Sequence, residues 1–180
     1  MRMILNNVNL CPMATISTST PDRPKFRLDE CRQVSVCELS GAERFIVWAI
    51  RWRASADRRD EVDASCLDDA FDRAGLRSAQ PALERFVATT CPMASSCKAA
   101  DRLGCWRLQP LEAHALHAIA CLQAGLLGEA WKALTQVCAR REVGRALIQL
   151  EELASALDRI GGRVERWFFD ESRTVRTSTA

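Results

Sequence analysis

The chain has 180 residues, of which 48% are hydrophobic and 27% are charged, and these values predict a single globular domain with a sizeable core. A net charge of +2 gives no reason to expect nucleic acid or a membrane surface as the partner. Only Lys25, Lys98 and Lys132 are lysines among the 25 basic residues, a bias that indicates a bacterial, GC-rich genome rather than a phosphate-binding surface.

Localisation follows from two features of the sequence. Residues 1–12 lack the apolar stretch of a secretory signal, and the longest apolar run, Phe45–Ile50, is too short to cross a bilayer. We therefore expect a cytoplasmic protein that does not enter a membrane. The nine cysteines are an odd number without an export signal, so a disulfide framework is not expected.

The ends of the chain differ in composition from its middle. Residues 1–30 contain the polar, proline-containing stretch 17–24 and show no apolar periodicity, which predicts a disordered N-terminal segment. A single helical domain is expected over 31–170, followed by a disordered tail over 171–180.

The first predicted helix begins at Ser40, because Ser40 and Glu43 have the spacing of a capping box. Its apolar residues surround the helix axis, which predicts a central, buried helix that ends within 53–56. They are Phe45, Ile46, Val47, Trp48, Ala49, Ile50 and Trp52.

Two further helices are predicted before the middle of the chain. One spans Glu61–Ala74 and is ended by Gly75, and the next runs from Ser78 to Thr90, before Pro92. Residues 91–108 form the least regular interior segment, with a short helix expected over 95–103.

Three more helices follow. The fourth begins with Pro110 as its first residue and is ended by Gly125. A short helix is expected over 127–138, with an inward stripe of Leu127, Ala130, Trp131 and Leu134. The last spans about 140–160 before Gly161, and Ile148, Leu153 and Ile160 make its apolar face wider than one neighbouring helix requires.

These elements predict an all-α fold, a compact bundle of about six helices. An internal duplication is an alternative description, because residues 39–43 resemble residues 108–112 at an offset of 69. The fold would then consist of two pseudo-repeated three-helix units, with possible halves 39–94 and 108–162.

Cysteine spacing suggests one candidate metal site. Cys91, Cys97 and Cys105 lie in the irregular interior segment, where a zinc ion or an iron–sulfur cluster would compensate for missing packing. The C-x5-C spacing is looser than that of most thiolate sites, so buried thiols without a metal are the simpler interpretation. The repeated Cys-Pro-Met-Ala at 11–14 and 91–94 also resembles haem-binding Cys-Pro dipeptides.

A second candidate metal site is formed by His114, His117 and Cys121, which share one edge of the fourth helix. Boundary histidines that pack their rings against the core are the simpler interpretation, because no second motif supplies further ligands. The expected cofactor is therefore none, with a metal ion or Fe–S cluster as the alternative.

Enzyme templates are missing from the chain. There is no G-x-S-x-G, no P-loop, no G-x-G-x-x-G and no H-E-x-x-H, so an enzyme is the less expected class. Residues 67–90 resemble a helix-turn-helix, but its second helix offers few base-reading donors beyond Gln80 and Arg85. A DNA-binding regulator is therefore only a second alternative function, and nucleic acid is not the expected partner. The first alternative function is a cysteine-ligated metal, Fe–S or haem-binding regulatory or accessory protein.

The function class that these observations favour is protein binding, by a non-enzymatic regulatory or accessory factor. A protein partner is expected, including a second copy of the chain in a homodimer. One candidate surface is the wide apolar face of the last helix. The other is the aromatic and basic segment formed by Arg163, Arg166, Trp167, Phe168 and Phe169.

Overall fold

The structure is a computed structural model that describes residues 34–55, 64–90 and 107–165. Within those ranges the all-α prediction is confirmed by six α-helices, and the only β-type pairing is an isolated bridge between Ser35 and Arg107. The helices are α1 (Gly41–Ala54), α2 (Ala64–Arg73), α3 (Gln80–Thr90), α4 (Pro110–Gln123), α5 (Leu127–Thr135) and α6 (Val143–Arg159). The predicted disordered segments at 1–30 and 171–180 and the predicted helix at 95–103 lie outside the described residues.

Two helix starts, those of α1 and α4, follow the predicted capping chemistry. At α1, the Ser40 hydroxyl accepts a hydrogen bond from the Glu43 backbone N–H at 3.3 Å, and the Glu43 carboxylate accepts one from the Ser40 backbone N–H at 2.7 Å. This reciprocal pair satisfies two N–H groups that a helix start leaves without partners inside the helix. Helix α4 begins at Pro110, where the missing N–H costs nothing.

Helix ends follow the predicted glycines. Gly75, Gly125 and Gly161 have φ values of 69°, 72° and 71° and lie just beyond α2, α4 and α6. A glycine adopts this left-handed conformation without the steric cost that other residues incur, so the chain reverses there.

Three helix boundaries differ from the predicted ones. Helix α3 begins at Gln80 because residues 77–79 form a 3₁₀ turn. Helix α5 ends at Thr135 instead of 138, and the Thr135 hydroxyl donates to the Lys132 carbonyl at 2.6 Å. Helix α6 begins at Val143 instead of 140, because the preceding residues form a turn closed by Glu142 N–H and the Ala139 carbonyl.

The central helix of the bundle, packed by other helices on most of its surface, is α4 and not α1. Residues 115–121 of α4 are all buried, and the helix packs against α1, α5 and α6. Helix α1 instead leaves Phe45, Trp48 and Trp52 half-buried on one face, so the predicted central position of α1 is wrong. The difference follows from size, because the short alanine side chains of α4 allow neighbours to approach closely on every side.

Long-range polar contacts hold the helices in place. Arg51 near the end of α1 pairs with Glu112 at the start of α4, with two contacts of 2.7 Å. At the other end of α4, the Gln123 amide donates to the Gly162 carbonyl at 2.8 Å and accepts from the Val164 N–H at 3.0 Å. The segment after α6 is thereby fixed across the end of α4.

The buried apolar side chains of all six helices form one continuous core cluster. Helices α1 and α4 coincide at an offset of 69 residues at both ends, as the predicted duplication requires. The division into two halves nevertheless stays a prediction. Among the described residues, no helix has the length and apolar character that crossing a membrane demands.

Candidate functional site

The two histidines and one cysteine of α4 form a polar cluster inside the bundle. His117 Nε2 lies 3.3 Å from Cys121 Sγ, and both side chains are buried. His114 lies one turn earlier and has a hydrogen bond with the Ala133 backbone of α5. Burial, followed by the nearby His117 ring, lowers the pKa of His114 to about 4, so this ring is neutral at physiological pH.

The corresponding positions of α1 show what such a cluster does structurally. At the offset of 69, His114, His117 and Cys121 fall on three aromatic residues, Phe45, Trp48 and Trp52. Those rings lie against one another, with centroid distances of 6.0 Å for the first pair and 5.3 Å for the second. The first ring also contacts Phe71 of α2 at 5.0 Å, just as His114 contacts α5. A packing role between consecutive helices therefore accounts for the cluster.

Metal binding stays a prediction. Within 34–55, 64–90 and 107–165, no group of three or more His, Cys, Asp or Glu side chains is arranged so that it could hold a metal ion. The structure brings His117 and Cys121 together, with His114 one turn away. The other predicted ligands, Cys91, Cys97 and Cys105, lie outside the described residues.

The donors predicted for DNA readout are engaged within the protein. Gln80 is buried, and its amide donates to the carboxylates of Asp68 and Glu84. Arg85 pairs with Glu152 of α6 at 2.9 Å. Helix α3 packs its buried face against α1 and α6, and of the two donors Gln80 is buried whereas Arg85 is exposed in its ion pair, so DNA binding stays a prediction.

The predicted partner-binding segment is described only at its start. Arg163 is exposed and pairs with Asp158 at 3.2 Å. Arg166, Trp167, Phe168 and Phe169 lie outside the described residues, so their role in binding stays a prediction.

Three of the exposed large apolar side chains of the described residues lie on α5 and α6, and Leu126 and Ile160 lie outside the helices. Leu127, Trp131 and Ile148 have exposed fractions of 55%, 42% and 59%, and together they are called the α5–α6 surface below. Leu127 and Trp131 are one turn apart on α5. Trp131 Cζ3 lies 3.9 Å from the place where a Cβ atom would stand on Gly144, one turn before Ile148. The three side chains therefore belong to adjacent parts of one hairpin of helices.

The sequence pattern assigned Leu127 and Trp131 to the interior, and the structure shows that assignment to be wrong. The buried residues of α5 are Ala130, Ala133 and Leu134. These three residues also have i, i+3, i+4 spacing, so α5 contains two overlapping apolar stripes. The stripe that includes the small alanine side chains is the one that faces α4. Ile148 is exposed on the side of α6 opposite its buried residues, whereas Leu153 is buried, so the wide apolar face predicted for α6 stays a prediction.

Charged residues lie beside the α5–α6 surface. Arg145 and Glu152 are the neighbours of Ile148 three residues before and four residues after it on α6. The Arg145 side chain is 76% exposed and makes one contact of 3.3 Å with Glu142. Exposed ion pairs of this kind contribute little stability. Arg145 can therefore give up its pair with Glu142 and form one with a partner protein at little cost.

Comparisons of the chain with known protein families, with curated proteins and with solved structures found no match. The assignment of a function therefore rests on the chemistry of the described residues.

Proposed function

We propose that the chain is a cytoplasmic, non-enzymatic protein-binding module that acts as a regulatory or accessory factor through the α5–α6 surface. The observation that carries the proposal is the exposure of three large apolar side chains, Leu127, Trp131 and Ile148, on one helical hairpin. Exposed apolar side chains that cluster, rather than scatter singly, are typical of protein-interaction sites.

The energetics of this surface support binding rather than a role in folding. Fully burying a side chain of this size stabilises by about 1.5–3 kcal/mol, and about half of this gain remains available to a partner because the three side chains are half-exposed. Tryptophan is also among the residues that contribute most to association when a partner covers them. The rim carries charged side chains, as partner-binding surfaces commonly do.

Site-specific photocrosslinking tests the proposal. A photoreactive phenylalanine analogue replaces Ile148 in the full chain, which is then irradiated in its native cells. We expect a discrete covalent adduct with one protein, because a partner seated on the surface would lie within reach of the probe. The Trp131→Ala substitution in the same chain should lower the yield of that adduct severalfold.

The matched control carries the photoreactive residue at Asp69, an exposed position of α2. No adduct of the same mass should form there. Equal yields at both positions, or no adduct at position 148, would refute the proposed function.

A further inference from the structure

Ile148 divides the exposed face of α6 into two edges of different chemistry. At about 100° per residue, Arg145 and Glu152 lie about 60° and 40° to one side of Ile148, one turn before it and one turn after it. Gly144 lies about 40° to the other side, which is the side that Trp131 of α5 approaches. One edge is therefore charged with opposite signs at its two ends, whereas the other edge has Gly144 and Trp131 at one end and the exposed Glu151 at the other.

A two-fold axis relates two such faces so that the opposite charges on one edge meet. An axis beside Ile148 and perpendicular to α6 brings two copies of α6 together in antiparallel directions, with Ile148 against its equivalent. On the charged edge, Arg145 of each copy then lies opposite Glu152 of the other. On the other edge, the two α5 helices lie on the same side, so Trp131 and Leu127 of both copies come together there, next to Glu151.

We infer that the occupant of the α5–α6 surface is a second copy of this chain, in an antiparallel homodimer centred on Ile148. The inference rests on the proposed function, and charge complementarity selects the occupant. A face with a basic end and an acidic end on one edge is complementary to itself when turned by 180°, and an isologous dimer uses that property.

The charges of the rim select the antiparallel direction. In a parallel two-fold arrangement the Arg145 and Glu152 edge of each copy would lie opposite the Gly144 edge of the other, so these charges would lose the partners that the antiparallel arrangement gives them. Glu152 already pairs with Arg85 of α3 across an exposed contact of 2.9 Å, so in the dimer it lies between two arginines. Its carboxylate has two oxygens and can accept from both guanidinium groups.

Sedimentation equilibrium of the full chain tests the inference over about 1 to 100 µM, a range in which interfaces of modest size dissociate. The wild-type chain should form a dimer whose population rises with concentration. Arg145→Glu and Glu152→Arg should each raise the dimer dissociation constant about tenfold, because each change replaces two attractive pairs by two repulsive ones. The double variant Arg145→Glu/Glu152→Arg should restore association, since it exchanges the partners of both pairs.

Three more variants separate a loss of the proposed contact from a general effect of substitution: Arg85→Ala and Ile160→Asp are the controls, and Ile148→Asp is a further test. Arg85→Ala removes the contact of Glu152 within its own chain and should leave the dissociation constant within about twofold. Ile148→Asp should raise it by at least about a hundredfold, because it places two carboxylates at the dimer axis. Ile160→Asp changes another exposed isoleucine of the described residues, whose side chain lies near Gly75, and should not change it.

A wild-type chain that stays monomeric throughout, or a double variant no better than either single one, overturns the inference. The photocrosslinking experiment then decides the proposed function separately. An adduct between position 148 and a different protein leaves that function standing while refuting the homodimer. Absence of any adduct at position 148 refutes both.

Discussion

Glu43 and Glu112 occupy the same place in two different helices, and each joins the start of its own helix to a distant part of the chain. Both are the third residue of their helix and both are buried. Glu43 accepts hydrogen bonds from the backbone N–H groups of Ser40 and Glu165. Glu112 accepts from the Gln109 N–H and from the guanidinium of Arg51. Residue type and spacing thus create a cap that also serves as a tertiary contact.

The Arg51–Glu112 pair should be important for stability. Its side chains are only 9% and 6% exposed, so Arg51→Ala leaves a buried carboxylate without its countercharge. We expect a loss of about 3 kcal/mol in the free energy of unfolding, measured by urea titration. Arg77→Ala, which breaks an exposed pair with Asp72, is the control and should cost less than about 1 kcal/mol. Equal losses in the two variants would contradict the expected effect of burial.

The cap of α1 allows a milder test. Ser40→Ala removes the hydroxyl that accepts from the Glu43 N–H and should cost about 1 kcal/mol in thermal or urea unfolding. Ser155→Ala, in the interior of α6, should change stability by only a few tenths of a kcal/mol. A Ser40→Ala variant as stable as wild type would show that the backbone at this helix start finds another acceptor.

Acid should destabilise the fold through His114. The pKa of its folded form is lowered to about 4 from 6.5, so the unfolded chain binds a proton more readily between these values. Stability contributed by the neutral ring is therefore fully present above about pH 6.5, falls as the pH drops, and levels off below about pH 4. The total should be about 3 kcal/mol in urea titrations across that window.

The matched variant for this prediction is His114→Phe, which places in α4 the residue type found at the corresponding position of α1, Phe45. Its stability should vary less with pH between 6.5 and 4 than that of the wild type. The same pH slope in both proteins would show that His114 is not the titrating group.

Thiol reactivity should separate the described cysteines into two groups. Cys37 and Cys66 are exposed, whereas Cys121 and Cys138 are buried. Burial, followed by the charge of Glu142, raises the pKa of Cys138 to about 11, so at pH 8 only about one thiol in a thousand is ionised. We expect iodoacetamide to label Cys66 at least about a hundredfold faster than Cys138. Peptide mass spectrometry at successive times measures the two rates. In denaturant the two rates should converge, and fast labelling of native Cys138 would contradict its burial.

Local chemistry explains which parts of the fold the sequence could predict. The start of α1 at Ser40 and the ends marked by Gly75 and Gly125 depend on residues within one turn of the boundary, and these predictions are confirmed. Helix α6 starts at Val143, later than the sequence predicts, because the turn around Glu142 is stabilised by contacts that leave no periodic pattern.

The burial of individual side chains is harder to predict than the position of a helix, because burial depends on which other helices pack against each face. Trp131 has the size and polarity of a core residue, yet α4 is packed against the alanines of the opposite side of α5. Conversely, His117 is a polar residue that the structure buries. The candidate surface could therefore be found only from the structure, which shows Ile148 exposed on the side of α6 opposite its buried residues.

The packing of α3 against α6 has a consequence for how the chain acquires its fold during synthesis. Leu83 and Phe86 belong to the buried face of α3, and α6 is one of the two helices that cover it. The ribosome must add the residues from Thr90 to Arg159 before α6 can pack on this face. At ordinary rates of translation this takes roughly 4 to 14 seconds. During that interval α1, α2 and α3 expose apolar surface in a nascent chain, so the first half of this protein is where molecular chaperones should bind.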